Sequence, residues 1–115
     1  MKKHIATALM CVTLLTVTSV AARELNTKEK EVIASVVKGK LKDPDSAKFY
    51  WQDYKGGEIY CAHVNAKNTY GGYAGKSLLI IGIKNNPSGE VISAEVSIED
   101  SDIYDSMCTK RGYSV

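Results

Sequence analysis

Between Asn26 and Lys42 the apolar residues return every three or four positions. Val32, Ile33, Val36, Val37 and Leu41 form one stripe, and Lys28, Lys30, Glu31, Lys38 and Lys42 occupy the other faces. This period predicts an amphipathic helix over residues 26–42. Asn26 is a good N-cap, and Glu29 three residues on completes a capping-box pair. Gly39 weakens the last turn, and Asp43-Pro44-Asp45 stops it.

Beyond Ser46 the period falls to two. Ala47 to Tyr54 reads as an aromatic strand, with Phe49 and Trp51 on the core side and Tyr50 and Tyr54 on the other. Lys55-Gly56-Gly57-Glu58 is a hairpin turn, and Ile59 to Ala66 a second strand. Ser77 to Ile83 is apolar on both faces, as a central strand is. Asn85 to Gly89 turns the chain. Val91 to Ile98 then alternates, with Ile92, Ala94, Val96 and Ile98 inward and Ser93, Glu95 and Ser97 outward. Ile103, Tyr104 and Met107 are spaced as on a short C-terminal helix, with Cys108 alongside. The predicted fold is α+β: one N-terminal amphipathic helix packed on a four-stranded antiparallel meander, plus that short helix. One helix covers one sheet face. The other face needs the tail, a partner, or exposed aromatics.

The N-terminus changes the picture. Met1-Lys2-Lys3-His4 precedes a nearly uncharged run from Ile5 to Val20 and a small-residue exit, Ala21-Ala22. This is the layout of a secretory signal peptide, residues 1–22, cleaved after Ala22 or after Ala21. The run is short for a transmembrane span, so contact with the membrane is expected only during export. Cys11 lacks a lipobox context. Residues 23–115 make one small domain. Lys2 and Lys3 leave with the signal peptide and no acid does, so thirteen bases face thirteen acids. The balance is uneven along the chain. Residues 23–84 hold eleven bases and seven acids, and residues 85–115 two bases and six acids. Nothing resembles a nucleic-acid footprint. The two remaining cysteines, Cys61 and Cys108, are most simply a disulfide in an oxidising compartment.

Candidate chemistry is sparse. Gly75-Lys76-Ser77 ends like a phosphate loop, but Tyr70 stands where that motif needs glycine, and a strand follows instead of a helix. Cys61 and His63 share a strand face, which permits a nucleophile pair, yet Cys61 is better used in the disulfide. Glu99, Asp100, Asp102 and Asp105 lack calcium-loop spacing and are explained as helix N-terminal acids, with Ser101 or Asp100 as cap. No cofactor or metal is expected, and no enzymatic activity.

One segment stands apart. Val64 to Lys76 holds three glycines, two tyrosines, two asparagines and two lysines between two strands. It is a demanding turn or a binding surface, and Tyr70 and Tyr73 fit either role. The candidate partner-binding residues are Asn65, Lys67, Asn68, Tyr70, Gly71, Gly72, Tyr73 and Lys76.

Two stretches together carry a resemblance. Leu41-Lys42-Asp43-Pro44-Asp45-Ser46-Ala47-Lys48-Phe49 resembles an L-K-D-P-x-S-A-x-F element. Cys61 to Gly75, with Val64-Asn65-Ala66-Lys67-Asn68 and Gly71-Gly72-Tyr73, resembles a C-G-x-V-N-A-K-N-x-x-G-G-Y-x-G element. The pair is similar to that of small secreted or lipid-anchored proteins of Gram-negative bacteria and their phages, most without an assigned function. The resemblance implies a periplasmic domain and no particular reaction. Ala62 stands where the element has glycine, and Lys76 where it has an aromatic. The leading expectation is a non-enzymatic binding or inhibitory module acting on another envelope protein through loop 65–76. The alternative is a structural or accessory subunit of a cell-envelope or secretion assembly, with a sheet face or edge as the contact.

Overall fold

Helix α1 spans Thr27–Lys38 in the structure, a computed structural model that describes residues 22–98 and 101–115. The residues before Ala22, expected to form a signal peptide, and Glu99 and Asp100 lie outside the described residues. Asn26 caps α1: its side chain accepts from the Glu29 N–H, and the Glu29 carboxylate accepts from the Asn26 N–H. The expected extension to residue 42 does not form. Gly39 caps the helix instead, and Lys40 and Leu41 continue in tighter turns bonded to Val37 and Lys38. Leu41 still packs against the core from outside the helix. A single 3-10 turn, Pro44–Ser46, leads into the sheet.

Four strands follow in meander order: β1 (Lys48–Tyr50), β2 (Ile59–Asn65), β3 (Ser77–Asn85) and β4 (Val91–Ile98), all antiparallel. Helix α2 (Asp102–Lys110) closes the chain, capped by the Ser101 side chain. The α+β architecture is therefore as the patterning predicts.

Strand alternation assigns the two sheet faces. Cys61 pairs with Ile80, and Ile80 with Ser97. Cys61 is bonded to Cys108, so α2 covers this face. On β4 the same face shows Ser93, Glu95 and Ser97 to solvent. Helix α1 packs on β4 from the opposite side, with Ile33 and Val37 fully buried in one core with Leu79, Ile81 and Val96. The tail thus covers the second face around the disulfide. A disulfide at this position points to an oxidising, extracytoplasmic compartment. Among the described residues no helix is long and apolar enough to cross a membrane.

Four expected details are corrected. The first strand stops at Tyr50 rather than Tyr54, because the chain then leaves the ladder to pair Tyr54 with Arg23. Phe49 and Trp51 stack on each other at 5.0 Å and are only partly buried. On β4 the register shifts opposite Lys84 and Asn85, so Val91 turns inward and Ile92 is 55% exposed. A bulge of this kind reverses the side chains on one side of it. On α2, Ile103 is exposed, while Tyr104 and Met107 pack inward.

Burial of one charge organises the N-terminal end. Glu29 is completely buried. Arg23 donates to both its oxygens, at 2.6 and 2.7 Å, and the Val91 N–H donates to it at 2.8 Å. Both ends of the domain are fastened to the connection between β1 and β2. The Arg23 backbone exchanges two hydrogen bonds with Tyr54. The Gln52 side chain bonds both N–H and C=O of Ser114, and the Lys55 N–H donates to the Tyr113 hydroxyl. Tyr54, Tyr60 and Tyr113 meet edge to face there. Burial pushes the Tyr60 phenol up to about 12, against the opposing pull of its hydrogen bond with Gln52.

Candidate functional site

The segment from Asn65 to Lys76 prolongs the β2–β3 hairpin beyond the sheet. Ala74 N–H donates to Ala66, and Lys67 bridges to Tyr73. Asn68 N–H donates to Gly72 at 2.8 Å, and Gly71 N–H back to Asn68 at 3.0 Å. The tip is thus a tight turn, Asn68 to Gly71, followed by a left-handed residue at Gly71 (φ 80°). This is a known way of closing a hairpin, and glycine suits it because it has no Cβ penalty at positive φ. Gly75 also lies at positive φ (96°), whereas Gly72 does not.

The two asparagines hold this backbone in place. The Asn68 side-chain oxygen accepts from the Tyr70 and Gly72 N–H groups, and that of Asn65 from the Gly75 N–H. Their carboxamide oxygens are therefore engaged within the loop. The loop is also tied to the helix–sheet hinge: Lys67 N–H donates to the Ser46 hydroxyl at 2.8 Å, which itself donates to the Asp43 carbonyl. The two sequence elements that carry the resemblance meet at this bond.

The side chains divide into two groups. Tyr70 projects from the tip, 96% exposed. Tyr73 is joined by one residue of β1 and one of its own loop. Lys48 Nζ lies 4.3 Å from its ring centroid and Lys67 Nζ 5.7 Å. Lys76 Nζ stands 3.9 Å from the ring centroid of Tyr50. Tyr50 lies opposite His63, and Lys48 opposite Asn65. The result is a face of three lysines and two tyrosines beside the loop. Burial, and then the charge of Lys76, lowers the pKa of His63. None of the three lysines forms an ion pair among the described residues.

The structure thus brings Lys67 to Tyr73 and sets Lys76 on the neighbouring Tyr50, leaves Tyr70 apart at the tip, and uses Asn65, Asn68 and Gly71 for the backbone; Gly72 lies exposed on the loop. Sequence reasoning missed Lys48 and Tyr50. Their two-residue spacing on a strand was a usable signal, but the register that sets them beside the loop was not readable. The thiol of Cys61 is bonded to Cys108, so the Cys61–His63 arrangement has no free nucleophile. The described residues hold no group of three His, Cys, Asp or Glu side chains placed to bind a metal. No family model, no curated protein and no solved structure matches the chain.

Proposed function

We propose that this chain is a non-enzymatic periplasmic binding or inhibitory module that acts on another envelope protein through loop 65–76. One observation carries the reading. Tyr70 is held out almost wholly in solvent by a turn whose backbone is fixed by its own asparagines. A rigid exposed aromatic offers contact area at low entropic cost, the property of an interface anchor. The lysine–tyrosine face beside it enlarges the surface. The sequence supports export, and the disulfide suits the compartment.

A second reading has its own observation. Among the described residues the outer edge of β4 pairs with no strand, and Ile92 stands exposed at its bulge. An accessory subunit of an envelope assembly would use this edge.

A photo-crosslinking residue separates the two. Placed at Tyr70 in cells exporting the protein, it is expected to give one discrete adduct with an envelope protein; placed at Ile92, none. Tyr70→Ala is expected to weaken that complex about 30-fold and leave the melting temperature unchanged. An adduct from Ile92 alone would transfer the function to the β4 edge.

A further inference from the structure

One of the three lysines, Lys48, comes from β1, and Lys67 and Lys76 come from the loop; they converge on two tyrosine rings. We propose that this face receives a carboxylate-rich segment of the partner, an extended run of Asp or Glu side chains laid across Tyr50 and Tyr73. The inference rests on the reading of loop 65–76 as a binding surface and adds the chemistry of what binds there.

Charge balance comes first. Once the signal peptide leaves, acids equal bases, yet Lys48, Lys67 and Lys76 find no carboxylate among the described residues. Only Arg23 and Lys30 have ion-pair partners among the described residues, Glu29 and Glu24; what sets Lys48, Lys67 and Lys76 apart from the other unpaired bases is that they are gathered on the rings of Tyr50 and Tyr73. An unmatched cluster of one sign is a surface complementary to the other.

The second point is preorganisation. A free lysine side chain samples many rotamers and loses that freedom on binding. Here Lys76 rests 3.9 Å from one ring centroid and Lys48 4.3 Å from another. Cation–π attraction restrains each ammonium group while leaving its N–H groups directed away from the ring free to donate. An arriving carboxylate meets donors already in place, which lowers the entropic cost of association. Burial and the neighbouring Lys76 disfavour a charge on His63, so the positive charge of the face is that of the lysines.

The third point is shape, which separates a protein segment from an anionic membrane. Helix α2 lies over the same sheet face and carries exposed Asp102 and Asp105 in its first turn. A broad, flat anionic surface pressed on this side meets those carboxylates as well as the lysines. A narrow peptide segment follows the lysines alone.

The test is an NMR titration of the 15N-labelled, disulfide-bonded protein with three probes: an eight-residue peptide of alternating Glu and Asp, its Gln/Asn counterpart, and vesicles containing phosphatidylglycerol. The expected result is amide shifts at Lys48, Lys67, Tyr73 and Lys76 with the acidic peptide alone, weakened by added salt. The variant K48Q/K67Q/K76Q is expected to keep its fold by thermal melting and bind about tenfold more weakly. Unchanged binding by that variant, shifts absent or scattered over the molecule, or tighter binding to the vesicles would each overturn the proposal. So would shifts at these residues that track protein concentration without peptide, because a second copy would then be the occupant. The two readings fail separately. A Tyr70 adduct that forms equally well in the triple variant keeps the proposed function and removes the acidic segment. Acidic-peptide binding at the lysines without any Tyr70 adduct does the reverse.

Discussion

A buried carboxylate costs several kcal/mol unless donors replace its water. Each oxygen of Glu29 accepts two hydrogen bonds, from Arg23, Asn26 and Val91. The hydrogen bonds from Arg23, followed by those from the Val91 and Asn26 backbones, outweigh burial and hold its pKa down to about 2 from a normal value of 4.5. A carboxylate whose folded pKa is depressed adds stability above its unfolded pKa. That stability drains away as pH falls toward the folded value. The pair therefore contributes about 3 kcal/mol near neutrality, lost between roughly pH 4.5 and 2. Arg23→Ala is expected to destabilise the protein by about 3 kcal/mol at pH 7, because it strands a buried charge. Glu29→Gln is expected to flatten the pH dependence of stability in that acid window. Urea unfolding at a series of pH values measures both, and an unaltered acid slope in Glu29→Gln would place the linkage elsewhere.

At the scale of elements, the glycines of the hairpin extension offer a sharp comparison. Gly71 and Gly75 have positive φ and Gly72 does not, and a Cβ at any of the three would meet open space. Gly71→Ala and Gly75→Ala are expected to cost about 1 kcal/mol each, and Gly72→Ala almost nothing. Equal losses at all three in thermal melts would mean that the turn is built differently. The sequence shows a glycine-rich loop but not which glycines bear the strain, since that depends on where the hairpin rungs fall. The same limit explains the other departures. Helix, strands and turns were legible from their periods, because burial of one face imposes each period. The bulge that turns Ile92 outward was not legible, because β4 reads as an unbroken alternation. The role of Glu29 was half legible: its capping spacing was visible, its partners Arg23 and Val91 were not. Of the candidate site, the loop was legible as a segment, while Lys48 and Tyr50 joined it only through pairing across β1 and β2. The disulfide is the strongest tie between elements. Cys61 and Cys108 lie 47 residues apart, and closing such a loop is worth about 4 kcal/mol in the chain-entropy view. C61A/C108A is expected to lose most of that in urea unfolding and to speed amide exchange throughout α2 first. Exchange that rises instead in α1 would show that α2 does not depend on the bond.

For the molecule as a whole, the sheet is an internal wall with one helix against each face, and no single layer contains the core. Arg23 and Ser114 both attach to the stretch Gln52–Tyr54, on either side of Asp53. Arg23 and Ser114 are therefore neighbours in space although they are far apart in sequence. The segment from Arg23 to Ser114 is close to a closed ring, and the position of its opening is open to choice. A circular permutant follows, in which a flexible linker of about six residues joins Val115 to Arg23 and new ends are cut between Tyr70 and Gly71. It is expected to fold with its disulfide and its circular dichroism spectrum intact, because the cut falls at an exposed tip that no core residue uses. It is also expected to lose the Tyr70-dependent complex. Scaffold and recognition would then be separated by rearranging the order of the chain, with no side chain exchanged.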